Sequence, residues 1–192
     1  MASQHNPTSY ISLLRGINVG GHRSIKMSEL KTIYENVNCT KVKTLKTSGN
    51  VVFEYLHRDD TVQNLEEALS QEIMKRHSYV VPVLIRTVQE LKQIIKNNPY
   101  YSRDRSSHKD LYVTLLADTP SDEAIKEVCD QRKSFEPDEF QIEGRTIYMK
   151  LESSAAKTKL TNTFLERKFK TQATTRNWTT MLELETLASN KK

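Results

Sequence analysis

Hydrophobic residues in the first half of the chain alternate between strand-like runs and helical spacing. Apolar side chains three and four positions apart predict helices, and short runs rich in Val, Ile, Leu, Phe and Tyr predict strands. The helices are predicted over about Met27–Val37 and from a capping box at Asp60 to about Ile73, and the strands over Ser9–Leu14, Lys41–Lys46, Val51–Tyr55 and Val80–Arg86. The resulting order, β-α-β-β-α-β, is that of a ferredoxin-like half.

Two local signals refine this arrangement. Pro82 has no N–H to donate, so the strand that contains it is predicted to lie at an edge of the sheet. The fourth strand of a ferredoxin-like sheet occupies such an edge. Thr87-Val88-Gln89-Glu90 has the composition of a capping box and predicts a connector helix through Ile95.

The same order of elements recurs in the second half, without a repeat at the level of residues. A strand over Leu111–Leu116 precedes a helix that Thr119-Pro120 is predicted to start. A hairpin follows, with strands over Phe140–Glu143 and Arg145–Leu151. A further helix and a short extended piece near Gln172–Thr174 precede the last helix.

The sequence therefore predicts an α+β protein of two ferredoxin-like (β-α-β-β-α-β) halves packed together, with additional helices. The first half is predicted over residues 8–87, a connector helix and loop over 88–110, and the second half with the C-terminal helix over 111–189. A length of 192 residues is sufficient to bury a sizeable core in such a fold.

Glycines concentrate in one loop between the first strand and the first helix. Three of the five glycines, Gly16, Gly20 and Gly21, fall in the segment Leu14–Ser24. Glycine lets a ligand or a second backbone approach closely, and a loop before a helix start can present N–H groups to an anion. The candidate ligand-binding residues of this loop are Arg15, Gly16, Asn18 and Gly20.

The predicted topology brings a second loop to the same place. Strands one and two run in the same direction, so the end of strand one and the hairpin between strands two and three lie at one end of the sheet. This adds Ser48, Gly49 and Asn50 to the candidate ligand-binding site. The alternative is that Asn18 and Asn50 only form turns and that Arg15 pairs with a carboxylate.

Thr174-Thr175-Arg176-Asn177-Trp178 is predicted to open the last helix. The threonines would cap this helix, and Arg176 and Asn177 with the first N–H groups would attract an anion. The alternative is a cap followed by a core tryptophan, and it is favoured for Trp178 because tryptophan is highly buried on average.

Composition limits the partners. A net charge of +5 permits a polyanionic partner without requiring one, because the lysines are spread along the chain and acids interleave with them. An anionic small molecule is therefore favoured over nucleic acid, which stays possible. The N-terminus lacks the features of a signal peptide and no apolar run approaches transmembrane length, so we expect a cytoplasmic protein with no membrane partner. Cys39 and Cys129 lie far apart and are typical of two reduced thiols.

Sequence motifs of several known chemistries are missing. The chain has no Walker A sequence, G-x-G-x-x-G, G-x-S-x-G, H-E-x-x-H or Cys/His cluster. No cofactor and no metal are therefore expected, and catalytic residues are unknown. Gly49–Tyr55 faintly resembles the central strand of an RNA-recognition module, but core packing accounts better for Phe53 and Tyr55 because no basic residue stands at the expected point.

Three separated segments, in this order, resemble the bacterial domain-of-unknown-function family 1697: Tyr10–Gly21, Ser48–Phe53 and Thr174–Trp178. The resemblance spans almost the whole chain, from about Ser9 to Ala188. Lys159-Leu160-Thr161 fits the Ser-Lys-Leu-Thr segment of that family, with Thr158 in place of the serine. The resemblance implies a two-part α+β fold and carries no established activity.

Three functions stay open at this point. The slightly favoured one is binding of an anionic, phosphorylated ligand by Arg15, Asn18, the loop amides and Arg176. The second is an enzyme acting on a small substrate in the same pocket, with Ser48 or Asn50 positioning it. The third is an interaction module, for protein or nucleic acid, whose polar loops are only turns. The sequence does not predict an oligomeric state.

Overall fold

A computed structural model describes residues 6–56, 61–102 and 107–190. Within these residues it contains two four-stranded antiparallel sheets and six α-helices, which confirms the α+β fold of two ferredoxin-like halves. The elements up to the connector are β1 (Thr8–Leu14), α1 (Met27–Asn36), β2 (Thr40–Leu45), β3 (Asn50–Tyr55), α2 (Val62–His77), β4 (Val83–Thr87) and α3 (Val88–Asn97). The remaining elements are β5 (Leu111–Leu116), α4 (Asp122–Asp130), a 3-10 helix (Arg132–Phe135), β6 (Glu139–Glu143), β7 (Thr146–Lys150), α5 (Asn162–Phe169), β8 (Ala173–Asn177) and α6 (Trp178–Ser189).

The first sheet has the strand order β2-β3-β1-β4. β1 lies antiparallel between β3 and β4, with Tyr10 opposite Phe53 on one side and Thr87 on the other. β2 is antiparallel to β3 and therefore runs in the same direction as β1. The predicted topology is confirmed, including the position of the fourth strand at an edge.

Aromatic rings of the first sheet pack under α1 and α2. Phe53 is stacked on Tyr10 with 5.7 Å between ring centroids, and Tyr34 of α1 meets Phe53 edge to face at 5.2 Å. All three side chains are buried, and such pairs stabilise a core beyond the area that they bury. Phe53 is thus a core residue, as the packing interpretation of the sequence predicted, and is not open to a stacked base.

Strand β4 begins at Val83, although the sequence predicted a strand over Val80–Arg86. Pro82 precedes the strand, and its carbonyl accepts a hydrogen bond from the Arg15 N–H at 2.9 Å. The edge of the strand is partly covered by α2, because the Ile85 N–H donates to the Glu66 carboxylate at 2.6 Å. This contact satisfies an N–H that an edge strand would otherwise present.

The second sheet repeats this pairing, with the strand order β6-β7-β5-β8. β5 lies antiparallel between β7 and β8. One backbone hydrogen bond recurs at the equivalent strand end: Leu14 N–H donates to Gly49 O at 2.8 Å, and Leu116 N–H donates to Arg145 O at 2.9 Å. The two halves therefore share strand order, direction and the contact that holds the end of their first strand.

Two helices start later than the sequence predicted. α2 is capped by Thr61, which exchanges hydrogen bonds with Asn64, while Asp60 lies outside the described residues. α4 is capped by Ser121, whose hydroxyl accepts the Ala124 N–H, and is not started by Thr119-Pro120. In each case the cap is the residue whose side chain reaches the N–H three positions later.

The capping box predicted at Thr87 is present. Thr87 N–H donates to Glu90 Oε2 at 2.7 Å, and Glu90 N–H donates to Thr87 Oγ1 at 3.0 Å. The helix that it opens, α3, ends at Asn97, two residues beyond the predicted end.

The segment that was predicted to open the last helix is a strand. β8 pairs antiparallel with β5, so its threonines and Arg176 are strand residues. Asn177 Oδ1 accepts a hydrogen bond from Thr180 N–H at 2.9 Å, so Asn177, and not a threonine, caps α6. β-branched threonines favour an extended backbone, and pairing with β5 stabilises it here. Trp178 is fully buried, as the interpretation of a core tryptophan predicted.

The chain divides into two compact units. The first contains the residues up to Gln93 together with the segment from Glu183, and the second runs from Ile94 to Leu182. Within the first unit, the end of α6 is tied to β2: Lys43 Nζ donates to Asn190 O at 3.3 Å. Lys46 adds an ion pair with Glu183 at 2.5 Å.

Candidate functional site

The loop after β1 is held by its neighbours on two sides. Leu14 N–H donates to Gly49 O, and Arg15 N–H donates to Pro82 O. The chain therefore leaves the sheet between the β2–β3 turn and the start of β4. This places Arg15 near the turn that contains Ser48, Gly49 and Asn50, which confirms the predicted meeting of the two loops.

The side chain of Asn18 binds the returning end of its own loop and the β2–β3 turn. Its Nδ2 donates to Ile25 O at 3.0 Å and to Thr47 O at 2.7 Å, and its Oδ1 accepts from Ile25 N–H at 2.9 Å. The residue itself has a left-handed backbone, with φ of 54°, which asparagine tolerates better than most residues. The amide group of Asn18 is thus engaged in building the loop.

A tight hairpin forms the tip of the loop. Val19 and His22 pair as an antiparallel bridge, and His22 N–H donates to Val19 O at 3.1 Å. Gly20 and Gly21 lie between them with φ of 59° and 78°. Two successive residues with positive φ are the requirement of the two-residue turns that match the twist of a hairpin. The glycines are explained by this turn, and the tip is exposed.

The β2–β3 turn is also built by its own polar groups. Asn50 is fully buried, and its Nδ2 donates to Leu45 O at 2.9 Å and to Ser48 Oγ at 3.1 Å. Gly49 has φ of 76°, and a Cβ there would lie 2.6 Å from Leu14 Cβ. The structure therefore gives Asn50 and Gly49 roles in the turn itself.

Positive charge gathers on the exposed part of the loop. We call residues 15–26 the basic hairpin; its cationic or titratable side chains are Arg15, His22, Arg23 and Lys26, and no Asp or Glu occurs between residues 15 and 28. His22, Arg23 and Lys26 are exposed. Arg23 lies against the loop, since its Nη1 would be 3.8 Å from a Cβ on Gly16. An exposed loop with this charge attracts anions.

Tyr79 supports the hairpin from the segment before β4. Its hydroxyl donates to Ser24 O at 3.0 Å. Burial and the nearby Glu29 raise the pKa of Tyr79, and Arg23 opposes that shift. The neutral phenol is therefore available as a donor across the ordinary pH range, and it fixes the return of the loop.

Sequence reasoning did not name His22, Arg23 or Lys26 as site residues. The lack of carboxylates over residues 15–28 could have indicated them. It was not used because charge is spread evenly along the rest of the chain. Their placement on one hairpin follows from the Val19–His22 bridge.

Arg176 and Asn177 lie in the second unit. Arg176 Nη1 donates to Thr174 Oγ1 at 2.8 Å and to Thr175 O at 2.9 Å. Asn177 caps α6. Their predicted part in ligand binding stays a prediction.

A cavity of about 250 Å³ in the first unit lies between β2, β3 and the end of α6. Its lining includes Lys41, Lys43, Val52 and Leu187, and none of the predicted loop residues. Lys41 is paired with Glu54 at 3.0 Å. The cavity is therefore separate from the basic hairpin.

The largest pKa shifts belong to the cores and not to a cleft. Burial raises the pKa of Tyr34 strongly, against the opposing hydrogen bond with Ser12 at 2.5 Å. Burial also raises the pKa of the Cys39 thiol to about 12 and that of Tyr148 well above its usual range. These groups are neutral packing residues, since burial disfavours their charged forms.

The described part of the chain holds no cluster of three or more His, Cys, Asp or Glu side chains that would suit a metal ion. Among the same residues, no helix combines the length and the apolar character that a membrane crossing requires.

The fold and the loops define a two-part α+β protein built on two ferredoxin-like sheets. The chain belongs to a protein family of unknown function (DUF1697), whose model matches residues 8–148. The matched part includes the segments at Tyr10–Gly21 and Ser48–Phe53, whereas Thr174–Trp178 lies beyond it.

Among solved structures, the conserved bacterial protein SP0830 from Streptococcus pneumoniae is similar, with a TM-score of 0.67 and 23% sequence identity. The match covers 96% of this chain and 100% of that chain, and shows a shared fold. No curated protein matches the sequence significantly.

Proposed function

We propose that this protein binds a phosphate-bearing anion at the basic hairpin. The observation that carries the proposal is a loop with a half-buried Arg15, exposed His22, Arg23 and Lys26, and no carboxylate over residues 15–28. Arginine suits phosphate because its planar group donates two parallel hydrogen bonds to two oxygens.

The other predicted residues of these two loops hold the basic hairpin in shape. Asn18 and Asn50 fasten the two turns with their side-chain amides. Gly16 and Gly20 leave room beside the backbone, and Ser48 and Gly49 complete the turn below. A loop fixed before binding loses little conformational entropy when an anion arrives, which raises affinity.

A protein-interaction function is the second candidate. Val19, at the tip of the hairpin, is 63% exposed, and Val80 is 58% exposed. The cavity of the first unit does not include Arg15, Asn18 or Asn50. Recognition at an exposed surface, and not in an enclosed pocket, is common to both candidates. Replacing Val19 with Ser separates them, because it would weaken a protein contact and leave phosphate binding intact.

The two cysteines support the expected cytoplasmic setting. Cys39 and Cys129 are free thiols, and unpaired cysteines are typical of reducing compartments.

The test is a thermal-unfolding screen of the full chain with inorganic phosphate, ATP, a sugar phosphate and a short oligonucleotide. A ligand that binds the native state at 100 times its Kd stabilises it by about 2.7 kcal/mol, so a binder raises Tm measurably. Calorimetric titration of that binder should then show roughly tenfold to 100-fold weaker binding for Arg15→Ala and for Arg23→Ala, as expected when a charged hydrogen bond is lost.

Lys31→Ala is the matched control, because Lys31 is exposed on α1 and has a 3.7 Å ion pair with Glu35. It removes the same charge outside the hairpin and should leave affinity within about twofold. If none of the four probes raises Tm, or if both arginine variants bind as tightly as the parent, the proposal is wrong.

A further inference from the structure

We propose that the second unit carries a binding surface for single-stranded nucleic acid, built around Phe164. This surface is formed by residues outside the basic hairpin, so the inference goes beyond the proposed function. We call it the Phe164 patch, and its members are Arg132, Lys133, Lys157, Lys159, Phe164 and Arg167.

Three short segments that are separate in sequence meet in the patch. They are the 3-10 helix Arg132–Phe135, the loop before α5, and α5 itself. Lys159 Nζ donates to Ser134 O at 2.7 Å, which joins the loop to the 3-10 helix. Phe135 meets Phe164 edge to face at 5.4 Å, which joins the 3-10 helix to α5. Three segments that span more than thirty positions of the sequence, and that carry five exposed cations, are therefore in contact.

Ion pairs do not offset the positive charge of the patch. Within the described ranges, none of its five Lys and Arg side chains forms an ion pair with a carboxylate. Arg132 Nη1 donates to Phe140 O at 2.6 Å, and Lys159 donates to a backbone carbonyl. Carbonyl acceptors fix the direction of these side chains without neutralising them, so the positive potential persists.

The acidic residues nearby are mostly engaged elsewhere. The Glu166 carboxylate accepts the Ala173 N–H of β8 at 3.2 Å, and Glu127 is paired with Lys168. The exposed carboxylates that flank the 3-10 helix are Asp130 and Glu136. Cations therefore outnumber free carboxylates on this surface.

An aromatic ring lies beside one of these charges. Phe164 is half-buried, and the Arg167 guanidinium is 5.9 Å from its ring centroid. A ring beside cations is the combination that binds single strands, because a base stacks on the ring while its phosphates meet Lys and Arg. An acidic polypeptide would use the cations alone, and a duplex would not offer an unstacked base.

Fluorescence anisotropy of a labelled 12-nucleotide mixed-sequence DNA strand tests the inference with the full chain. Affinity should fall between 50 and 200 mM salt with a log–log slope of about −2, as expected when roughly three phosphates are neutralised on a single strand. The triple variant Lys133→Ala, Lys157→Ala, Arg167→Ala should bind at least about tenfold more weakly and show a much flatter slope.

The control triple variant is Lys31→Ala, Lys75→Ala, Lys92→Ala, which removes the same charge from exposed helix positions outside the patch. Its affinity should change less than about threefold. Phe164→Leu keeps an apolar side chain against Phe135 and should weaken binding roughly tenfold, the size expected of one lost stacking contact. Thermal unfolding of each variant shows whether it is folded. If Phe164→Leu is unfolded, the triple variant of the patch alone tests the inference.

Absence of salt-sensitive binding overturns the inference, as does equal loss in the two triple variants. Displacement of the strand by polyglutamate at equal charge concentration also overturns it, and assigns the patch to an acidic polypeptide. Binding of inorganic phosphate, which Arg23→Ala in the basic hairpin should weaken, is measured separately, so failure of the patch and failure of the hairpin are distinguishable.

Discussion

Gly49 and Gly144 have similar backbones in different surroundings. Both lie at positive φ, 76° and 54° respectively. A Cβ on Gly49 would come within 2.6 Å of Leu14 Cβ and 2.9 Å of Ile17 Cδ1, whereas a Cβ on Gly144 would have no heavy atom within 4 Å. Alanine substitutions at the two glycines therefore separate the free-energy cost of backbone strain from that of a steric clash.

We therefore expect Gly49→Ala to lower the free energy of unfolding by about 3 kcal/mol or more, and Gly144→Ala by about 1 kcal/mol. The first substitution adds overpacking to the strain of a left-handed alanine, and the second adds strain alone. Urea titrations of both variants measure the difference. Equal losses would show that the turn relaxes around the new methyl group.

Asp138 is a buried carboxylate that fastens the loop after β7. Its Oδ1 accepts the Ser153 N–H at 2.9 Å and its Oδ2 accepts the Ser153 hydroxyl at 2.6 Å. Burial by itself would raise the pKa of Asp138, but these hydrogen bonds outweigh burial and hold the pKa below its usual range. The ionised form is the one that stabilises the fold.

Since the folded pKa lies below the unfolded value of about 3.9, this stabilisation is fully present above the unfolded value and is lost as pH falls through the folded pKa. Asp138→Asn should cost about 1–3 kcal/mol at pH 7, and its difference from the parent should shrink below about pH 4. Thermal unfolding from pH 7 to 2.5 measures this. Asp130→Asn, at an exposed site, is the control, and a gap that stays constant with pH would contradict the assignment.

At the scale of elements, α2 protects the edge of the first sheet through one side chain. Glu66 accepts the Ile85 N–H at 2.6 Å, and Ile85 is buried. Its neighbour Glu67 is exposed and accepts a hydrogen bond from Gln71 on the same helix. The two adjacent glutamates of α2 thus differ in role, because Glu66 binds a backbone N–H of β4 and Glu67 binds a side chain of its own helix.

Glu66→Ala should destabilise the protein by about 1–3 kcal/mol, because it leaves a buried N–H without its acceptor. Glu67→Ala should cost less than about 0.5 kcal/mol, as expected of an exposed helix position. Chemical denaturation compares the two variants directly. An open strand edge also promotes association, so light scattering of Glu66→Ala should show more aggregate than that of Glu67→Ala.

Element boundaries show where local pattern is insufficient. The box at Thr87 was predicted and is present, because its two side chains and two N–H groups are all within four residues. The predicted start of the last helix at Thr174 is wrong, because β8 gains its stability from pairing with β5, a partner about sixty positions away. Threonine at a helix start and threonine in a strand look alike in sequence.

For the whole molecule, the two halves share their architecture and differ at equivalent loops. The first strand of each half, β1 or β5, ends with an equivalent backbone hydrogen bond. After β1 comes the long basic hairpin, and after β5 comes a short connection with Asp118, which accepts the Thr171 hydroxyl at 2.8 Å. The repeated fold thus presents basic residues from one loop and an acidic residue from the other.

Net charge alone gave a poor description of the charged surface. The lysines of the sequence do not concentrate in any segment, yet the 3-10 helix, the loop before α5 and α5, which carry five exposed cations, are in contact. A count of charged residues in the sequence does not reveal such surfaces, because it contains no information about which segments meet.

The sequence by itself determined the α+β class, the strand order of the first sheet, the family and the meeting of the loops at Asn18 and Gly49. These follow from periodicity and topology, which are local or nearly local properties. Only the tertiary structure decided that the side-chain amides of Asn18 and Asn50 bind the loops themselves, that Arg23 lies on the exposed hairpin, and that the 3-10 helix contacts α5 through Phe135 and Phe164. The physical reason is that a polar side chain binds whatever the fold brings within about 3 Å of it, and that neighbour is set by the packing of the whole chain.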